Sequence, residues 1–398
     1  MRELIDHLGY APRSCVWELT TRCNLACAHC GTNAVGKPRR DELDTEACLD
    51  VVEQLAVLGN RHITLSGGEP TLRKDWVQIA RAAADRKITV NMVTNGQGDP
   101  HLLAKGAAEA RLVSLAVSLD GLEPTHDLIR ARGAFARTAE TIRVLSNHGF
   151  WVDVMMTLNQ LNIGEIEDVA RLAASLGARG FRVQLGKPMG KQTHRDDLTL
   201  RPAHLLVVLP LLGKLATSSG LVVRIGDSIG YYSEAERPLR GARCGQGCWT
   251  GCYAGCQAIG IQADGGIKGC LSLQPRAGEE DIFVEGNVRQ HSLAYLWNRK
   301  GAFAYNRSFT LDQLDGTCAQ CSHARLCRGG AKCVAHAYTG GLGHDPMCYL
   351  AAVQTSNPER RAGIWPESGA RMAEALIASI ASARSKGDKP ALHPEVEP

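Results

Sequence analysis

The sequence Cys23-Asn-Leu-Ala-Cys27-Ala-His-Cys30 follows directly on a predicted strand at residues 15–20. This C-x3-C-x2-C spacing puts three thiolates on one loop at the carboxyl end of the strand, where they can hold three irons of a [4Fe–4S] cube. The fourth iron then lacks a protein ligand, and an open metal position is where a substrate or cofactor binds. The spacing alone also allows a zinc site, although His29, directly beside Cys30, would be a poor fourth ligand.

Outward from this loop, residues 15–225 alternate between predicted strands and helices. Each β-α unit is too short for anything but a right-handed crossover to a parallel neighbour. About six such units predict an α/β fold, a partial (β/α)6 barrel, in which ligands bind at the carboxyl ends of the strands. The further strands are predicted at 63–66, 89–94, 112–119, 151–157 and 181–185, and a helix at 203–217 with the segment 221–225 completes the core.

More polar motifs lie at the same predicted edge. The second strand ends in Ser66-Gly-Gly-Glu-Pro70, where the glycines let a ligand approach the backbone and the glutamate can accept from an amino group. The fourth strand ends at Ser118, whose hydroxyl can bond a ribose, and Arg130 follows twelve residues later and can bind a carboxylate. Polar residues after the third and fifth strands point to the same edge: Thr94, Asn95, Gly96, Thr157 and Asn159.

Charge and hydropathy exclude several classes of protein. The 398 residues carry 45 Lys and Arg against 41 Asp and Glu, and a net charge of +4 gives no electrostatic footprint for nucleic acid. No run of about 18 apolar residues occurs, so no membrane span is expected. The N-terminus has acidic residues and no apolar core of a secretory signal, so we expect a cytoplasmic protein.

The 15 cysteines are unevenly placed, with five in residues 15–48 and ten in residues 244–348. In a reducing compartment such clusters bind metal or do chemistry rather than form disulfides. The Gly- and Cys-rich region cannot bury much apolar surface, so we expect metal to stabilise it. We predict an N-terminal segment at 1–14, the barrel at 15–237, a small cysteine-rich Fe–S cluster domain at 238–358, and a helix with a mobile tail at 359–398.

Together the barrel motifs resemble those of radical S-adenosylmethionine (SAM) enzymes, over about residues 15–225. The resemblance implies that Cys23, Cys27 and Cys30 hold a [4Fe–4S] cluster whose unique iron chelates SAM. It further implies that one electron cleaves SAM to a 5′-deoxyadenosyl radical, which takes a hydrogen atom from the substrate. The SAM-binding residues carried over by the resemblance are Gly67, Gly68, Glu69, Pro70, Ser118 and Arg130.

The C-terminal cysteines resemble the SPASM extension of radical SAM enzymes, which carries two auxiliary clusters. The matching features are Cys252, the turn from Asp264 to Cys270, and the run Cys318-x2-Cys321-x5-Cys327; the next spacing, to Cys333, is five residues where the family commonly has three. The resemblance gives a total of three [4Fe–4S] clusters. Auxiliary cluster I would take Cys252, Cys256, Cys270 and Cys333, and auxiliary cluster II would take Cys318, Cys321, Cys327 and Cys348.

Several alternatives remain open in this region. One zinc ribbon could use four of these thiols. Cys244, Cys248, Cys252 and Cys256 repeat every four residues, so any two could serve auxiliary cluster I, which could also have three ligands and an open iron. Cys244 or Cys248 could instead donate a hydrogen atom. Cys15 and Cys48 are predicted to be small core residues.

The family resemblance implies an enzyme that modifies a ribosomally synthesised peptide, most simply by an oxidative crosslink. Sulfatase maturases carry an aspartate where this chain has Leu271, which disfavours that activity. Only 22 residues precede Cys23, so we expect no leader-binding domain of some 80 residues at the N-terminus. Either a separate protein presents the peptide, or the 359–398 region helps, or the substrate is small. We also expect a flavodoxin- or ferredoxin-type electron donor. The alternatives are an epimerase, a tetrapyrrole or small-molecule modifying enzyme, and a non-catalytic Fe–S electron-transfer protein.

Overall fold

The structure is a computed structural model that describes residues 9–32, 34, 41–226, 229–244, 249–276 and 278–356, with only the backbone at 241–244. Within these residues nine strands form one sheet. In chain order they are β1 Ser14–Glu18, β2 His62–Ser66, β3 Thr89–Thr94, β4 Ser114–Ser118, β5 Trp151–Leu158, β6 Gly180–Leu185, β7 Val222–Ile225, β8 Ala258–Ile261 and β9 Ile267–Lys268.

The sheet order is β7-β6-β5-β4-β3-β2-β1-β8-β9. All neighbours are parallel except β8 and β9, which form an antiparallel pair. Because β7 and β9 lie at opposite edges, the described strands leave the barrel open. The α/β fold with a parallel sheet and an incomplete barrel is therefore confirmed, and the carboxyl ends of β1–β7 share one edge.

Thirteen helices are seen in the described residues. They are α1 Thr45–Val57, α2 Trp76–Asp85, α3 Pro100–Glu109, α4 Glu123–Ile129, α5 Ala134–Asn147, α6 Ile166–Ser175, α7 Leu205–Ser218, α8 Glu236–Cys244, α9 Leu293–Asn298, α10 Ala304–Arg307, α11 Ala324–Cys327, α12 Lys332–Thr339 and α13 Tyr349–Ser356. Helices α1–α7 connect the parallel strands as predicted, with α4 as an extra turn after β4. None of the described helices is long and apolar enough to cross a bilayer.

Local sequence signals explain the helix between β1 and β2. The Asp44 side chain caps α1 by accepting from the amide of Ala47, and the helix is followed by Gly59 at φ +74°. One face of α1 is buried, and it includes Cys48, which is 1% exposed. Cys15 on β1 is equally buried, so both are core residues as predicted.

The sheet differs from the prediction at its C-terminal edge. Strand β8 pairs with β1, with Cys15 opposite Ile259, although residues 241–350 have few periodic segments. A four-residue strand carries too short a pattern to be recognised without its partner. Helix α8 runs through the predicted boundary at 237/238, which stays a prediction. The predicted helix and tail at 359–398 lie outside the described residues.

Candidate active site

The three cysteines of the first motif lie together after β1, at the carboxyl edge of the sheet. Cys27 is buried, whereas Cys23 and Cys30 are partly exposed. The amide of Leu25 donates to Cys23 Sγ at 3.5 Å and the amide of Ala34 donates to Cys30 Sγ at 3.4 Å. Such donors stabilise sulfur ligands and orient them toward a metal.

The thiols need a positive partner in order to ionise. Burial raises the pKa of Cys23 and of Cys27, and the guanidinium of Arg130 partly opposes this for Cys27. The three sulfurs also repel one another as thiolates. Bound iron would supply the missing charge, because coordination deprotonates a thiol outright. The donor set therefore fits a metal cluster.

His29 is not placed as a fourth ligand. Its Nε2 lies 2.8 Å from Oδ2 of the buried Asp120, so this nitrogen is engaged by a carboxylate. No three His, Cys, Asp or Glu side chains in the described parts of the chain converge on a site for a single ion. An iron–sulfur cube does not need such convergence, because each thiolate binds a different iron. The geometry disfavours the zinc site left open by the spacing.

The glycine pair after β2 packs against the backbone that leads into the cysteine loop. The amide of Gly68 donates to Thr20 O at 2.7 Å and the amide of Glu69 donates to Arg22 O at 2.8 Å. A Cβ on Gly67 would overlap Thr20 O, and one on Gly68 would overlap Arg22 O. The glycines therefore make room for the chain itself, and their role in binding SAM stays a prediction.

Glu69 joins the ends of β2 and β3. Its buried carboxylate accepts from Thr71 Oγ1 at 2.7 Å, from Thr94 Oγ1 at 2.9 Å and from the amide of Asn95 at 2.7 Å. Burial raises the pKa of Glu69, and these hydrogen bonds oppose the rise. Both carboxylate oxygens are thus used within the protein. Binding of the SAM amino group by Glu69 stays a prediction that these contacts do not favour.

Ser118, at the end of β4, remains available to a ligand. The residue is 8% exposed, and its hydroxyl has no hydrogen-bond partner among the described residues. An unpaired hydroxyl at the ligand-binding edge is suited to bond a ribose. That role of Ser118 stays a prediction.

Arg130 and the buried Asp120 form an ion pair beside the cysteine loop. Arg130 Nε donates to Asp120 Oδ2 at 2.6 Å, and Arg130 Nη1 lies 3.9 Å from Cys27 Sγ. Burial opposes ionisation of Asp120, but Arg130 and His29 outweigh it, so the pKa of Asp120 lies well below its usual range. Asp120 was not predicted as a site residue, although a charge directly after a buried strand was a usable signal.

The remaining polar residues of the edge converge as predicted. Asn95 Nδ2 donates to Asn24 Oδ1 at 2.7 Å and lies 3.7 Å from Cys23 Sγ. On the other side, the amide of Thr157 donates to Asp120 Oδ1 at 2.7 Å. The ends of β3 and β5 therefore both contact the cysteine loop or its charged neighbours.

All four predicted ligands of auxiliary cluster II line one cavity. Burial raises the pKa of Cys318 to about 11 and that of Cys327 to about 12, so these thiols would also need bound metal to ionise. The cavity is lined by Cys318, Cys321, Cys327 and Cys348, and Asp345 and Tyr231 line it beside them.

Three of the four predicted ligands of auxiliary cluster I lie together. The thiol of Cys333 contacts that of Cys270, and Cys252 acts electrostatically on both. Cys256 is completely buried in the same loop, where it acts on Arg307. Its place as the fourth ligand stays a prediction. The side chain of Cys244 and all of Cys248 lie outside the described residues.

A cavity of about 320 Å³ lies between the two cysteine regions. Met189 lines it and also packs on the cysteine loop, because a Cβ on Gly31 would lie 3.0 Å from Met189 Cε. Cys333 lines it as well. The amide of Lys191 donates to Cys30 O at 2.9 Å and holds the Met189 loop in place. We call this cavity the central chamber.

Comparison with known proteins agrees with this geometry and defines the class. The Radical SAM superfamily matches residues 17–173, and the SPASM iron–sulfur cluster-binding domain matches residues 252–322. The mycofactocin maturase MftC of Mycolicibacterium smegmatis is 32% identical over 349 residues, covering 85% of this chain and 83% of that protein. The AdoMet-dependent heme synthase of Methanosarcina barkeri is 29% identical over 357 residues, covering 85% and 96%.

Among solved structures, Streptococcus suis SuiB bound to S-adenosylmethionine has the same fold, with a TM-score of 0.67 at 16% identity over 87% of this chain and 80% of that one. The chain belongs to the radical SAM superfamily and carries a SPASM domain. It is therefore an enzyme that uses SAM and [4Fe–4S] clusters.

Proposed function

We propose that this protein matures a ribosomally synthesised peptide by forming an oxidative crosslink between two side chains. Similarity to a maturase over most of both chains supports a peptide substrate. The central chamber carries the proposal, because Met189 connects it to the radical SAM cysteine loop and Cys333 brings it to auxiliary cluster I. A substrate in the chamber would meet a radical source on one side and an electron acceptor on the other.

The chain's own residues would hold and orient the cofactors. When bound, the cluster and SAM supply a 5′-deoxyadenosyl radical that abstracts a hydrogen atom from the substrate. Cys23, Cys27 and Cys30 would hold the cluster, and Ser118 would bond the SAM ribose. Arg130 would bind the SAM carboxylate through its Nη groups, while its Nε stays on Asp120.

The crosslink balances as a net loss of two hydrogens. One side chain would lose a hydrogen atom from a C–H bond to the radical that the bound cofactors supply. Its partner side chain would lose a proton to solvent as the new bond forms between the two. The cluster that Cys333 would help to hold would accept the remaining electron. Three [4Fe–4S] clusters are thus proposed: one for the radical, one to take this electron and one to pass it outward.

The charge of the central chamber suggests what it binds. The charged or titratable side chains that line it, besides the thiol of Cys333, are His194, Arg276 and His336. Arg276 can bind a carboxylate through two parallel hydrogen bonds. We therefore propose that the segment of the peptide that enters the chamber is neutral or acidic.

A second candidate is modification of a tetrapyrrole or another small molecule. Similarity to a heme synthase over 96% of that protein favours it. A volume of about 320 Å³ also lies at the lower end of the usual range for small-molecule sites. An epimerase would differ from both, since it needs a hydrogen donor instead of an electron acceptor.

Two partners belong to the proposal. A separate leader-binding protein would present the peptide. A flavodoxin- or ferredoxin-type donor would reduce the cluster that Cys23, Cys27 and Cys30 would hold, which we call the barrel cluster. We place the enzyme in the cytoplasm, where a reducing environment keeps thiols available for iron. In support, none of the 13 cysteines with described side chains forms a disulfide.

The test is the intact mass of the peptide encoded beside the gene, after anaerobic co-expression in deuterated water and back-exchange of labile sites. A Cys27→Ala variant is the matched control. Loss of about two hydrogens with the active enzyme alone supports the crosslink. One retained deuterium would instead indicate that the enzyme is an epimerase. An unchanged peptide mass despite 5′-deoxyadenosine formation would favour the small-molecule candidate.

A further inference from the structure

The one-turn helix α10 anchors the loop that carries the first auxiliary cysteines. Asn306 Nδ2 donates to Cys252 O at 2.9 Å and to Ala254 O at 2.7 Å. Arg307 Nε donates to Gly255 O at 2.6 Å. Two successive side chains of α10 therefore fix the backbone of residues 252–255.

The side chain of Tyr305, which precedes Asn306 on α10, lies beside the same loop, and its hydroxyl lacks a hydrogen-bond partner in the described part of the chain. Its hydroxyl oxygen is buried and has no hydrogen bond within the described residues. A Cβ on Gly269 would overlap that oxygen and would lie 2.5 Å from the amide nitrogen of Gly255. The hydroxyl thus lies between the 254–255 loop and Gly269, which directly precedes Cys270.

An unpaired hydroxyl in this place needs an explanation. Leaving a buried donor unsatisfied costs free energy, and an orphaned polar group in a native structure calls for an explanation such as a bound group that completes the site. A phenol carries its proton at neutral pH, so the hydroxyl of Tyr305 is a donor. The thiols of Cys252, Cys256 and Cys270 lie near enough to act on it electrostatically, and sulfur at the predicted auxiliary cluster I can accept a hydrogen bond.

We propose that the hydroxyl of Tyr305 donates a hydrogen bond to a sulfur of auxiliary cluster I and thereby raises the reduction potential of that cluster. Hydrogen bonds to sulfur raise cluster potentials because they stabilise the more negative, reduced state. The effect suits a cluster that takes an electron from a product radical. This inference rests on the proposed function, which places an electron-accepting cluster at Cys252, Cys270 and Cys333.

The experiment compares wild type with Tyr305→Phe, which removes only the hydroxyl. Reconstituted, full-length proteins are titrated anaerobically while the reduced clusters are followed by electron paramagnetic resonance. The signal of auxiliary cluster I is the one lost in Cys270→Ala. Tyr295→Phe is the matched control, because Tyr295 is 54% exposed on α9 and its ring contacts His291.

We expect the potential of auxiliary cluster I to become more negative in Tyr305→Phe, with unchanged iron content, and to stay unchanged in Tyr295→Phe. An unshifted potential in a fully loaded Tyr305→Phe protein would overturn the proposal. If Tyr305→Phe does not load its clusters, 3-fluorotyrosine at position 305 keeps the shape with a stronger donor. The potential must then become more positive, and no change overturns the hydrogen bond.

Failure of the cluster assignment has a different signature. If Cys270→Ala keeps the wild-type iron content and all wild-type signals, no cluster exists at Cys270. That outcome overturns both the hydrogen bond and the electron acceptor of the proposed function. A shifted potential without crosslinked peptide would uphold the hydrogen bond and overturn the crosslink alone.

Discussion

Arg130 and Asp120 are held 2.6 Å apart, with 8% and 0% of their side chains exposed. The pair places a fixed positive charge beside Cys27, at the point where iron-bound sulfur would carry negative charge. It also joins the end of β4 to the cysteine loop, because Asp120 accepts from His29 as well. Asp120 is therefore a positioning residue for the barrel cluster.

We expect Asp120→Asn to lower the free energy of unfolding by about 3 kcal/mol, because it leaves Arg130 buried without its countercharge. Anaerobic urea unfolding of the reconstituted protein, followed by tryptophan fluorescence, measures the change. Asp85→Asn is the control, since Asp85 pairs with Arg81 and Arg111 on the exposed surface. That change is expected to cost about 1 kcal/mol or less. Equal losses in both variants would contradict the role of Asp120.

His126 should contribute to acid sensitivity. Burial and the charges of Arg130 and His29 lower the pKa of His126 to about 4. The carboxylates of Asp120 and Asp127 partly oppose this shift. In the unfolded chain the pKa is about 6.5, so above that pH both states are neutral and stability is full. As the pH falls from about 6.5 to 4, His126 binds a proton in the unfolded state but not in the folded state, and stability is lost.

The measurement is the difference in unfolding free energy between pH 7 and pH 4.5 for wild type and His126→Gln. The variant should lose less stability, by on the order of 2–3 kcal/mol. His148→Gln, at an exposed histidine, should behave like wild type. The same pH dependence in all three proteins would remove His126 as the cause.

Much of the barrel site is predictable because its signals are local. Strand β3 has the predicted bounds, since all but one residue of this short run are β-branched or apolar. The cysteine motif follows β1 and Ser118 ends β4, so a parallel sheet brings them to one edge, whereas Arg130 follows α4. The partner of Arg130 is harder to predict, because the pairing with Asp120 depends on how α4 turns the chain back.

Gly68 offers a test of the backbone contact below the cysteine loop. In Gly68→Ala the new Cβ would collide with Arg22 O and displace the segment before Cys23. We expect the reconstituted variant to hold about eight irons, against about twelve in wild type, at about four per cluster. Gly98→Ala is the control, because a Cβ there meets nothing within 4 Å. Full iron content in Gly68→Ala would contradict this account of the glycine pair.

Arg276 tests the substrate proposed for the central chamber. We expect Arg276→Gln to lower the amount of crosslinked peptide per 5′-deoxyadenosine by about tenfold or more, because a charged hydrogen bond to substrate is lost. Liquid chromatography with mass spectrometry quantifies both products in one reaction. Arg143→Gln, at an exposed position on α5, should match wild type. An unchanged ratio in Arg276→Gln would exclude this arginine from substrate binding.

The C-terminal region is less predictable, for physical reasons. Cys318, Cys321, Cys327 and Cys348 meet as expected, since three of them lie on closely spaced turns. The contact of Cys333 with Cys270 joins residues far apart in sequence and depends on the pairing of β8 with β1. Tyr305 has no motif around it, and its unpaired hydroxyl is visible only when α10 is packed on the 252–255 loop.

The most direct test of the radical SAM assignment is the formation of 5′-deoxyadenosine by the reconstituted protein with SAM and dithionite under anaerobic conditions. Wild type should release 5′-deoxyadenosine and methionine in equal amounts, whereas Cys27→Ala should release neither. Wild-type protein that carries its full iron content and leaves SAM intact would contradict the central claim that the cysteine loop after β1 is a radical-generating site.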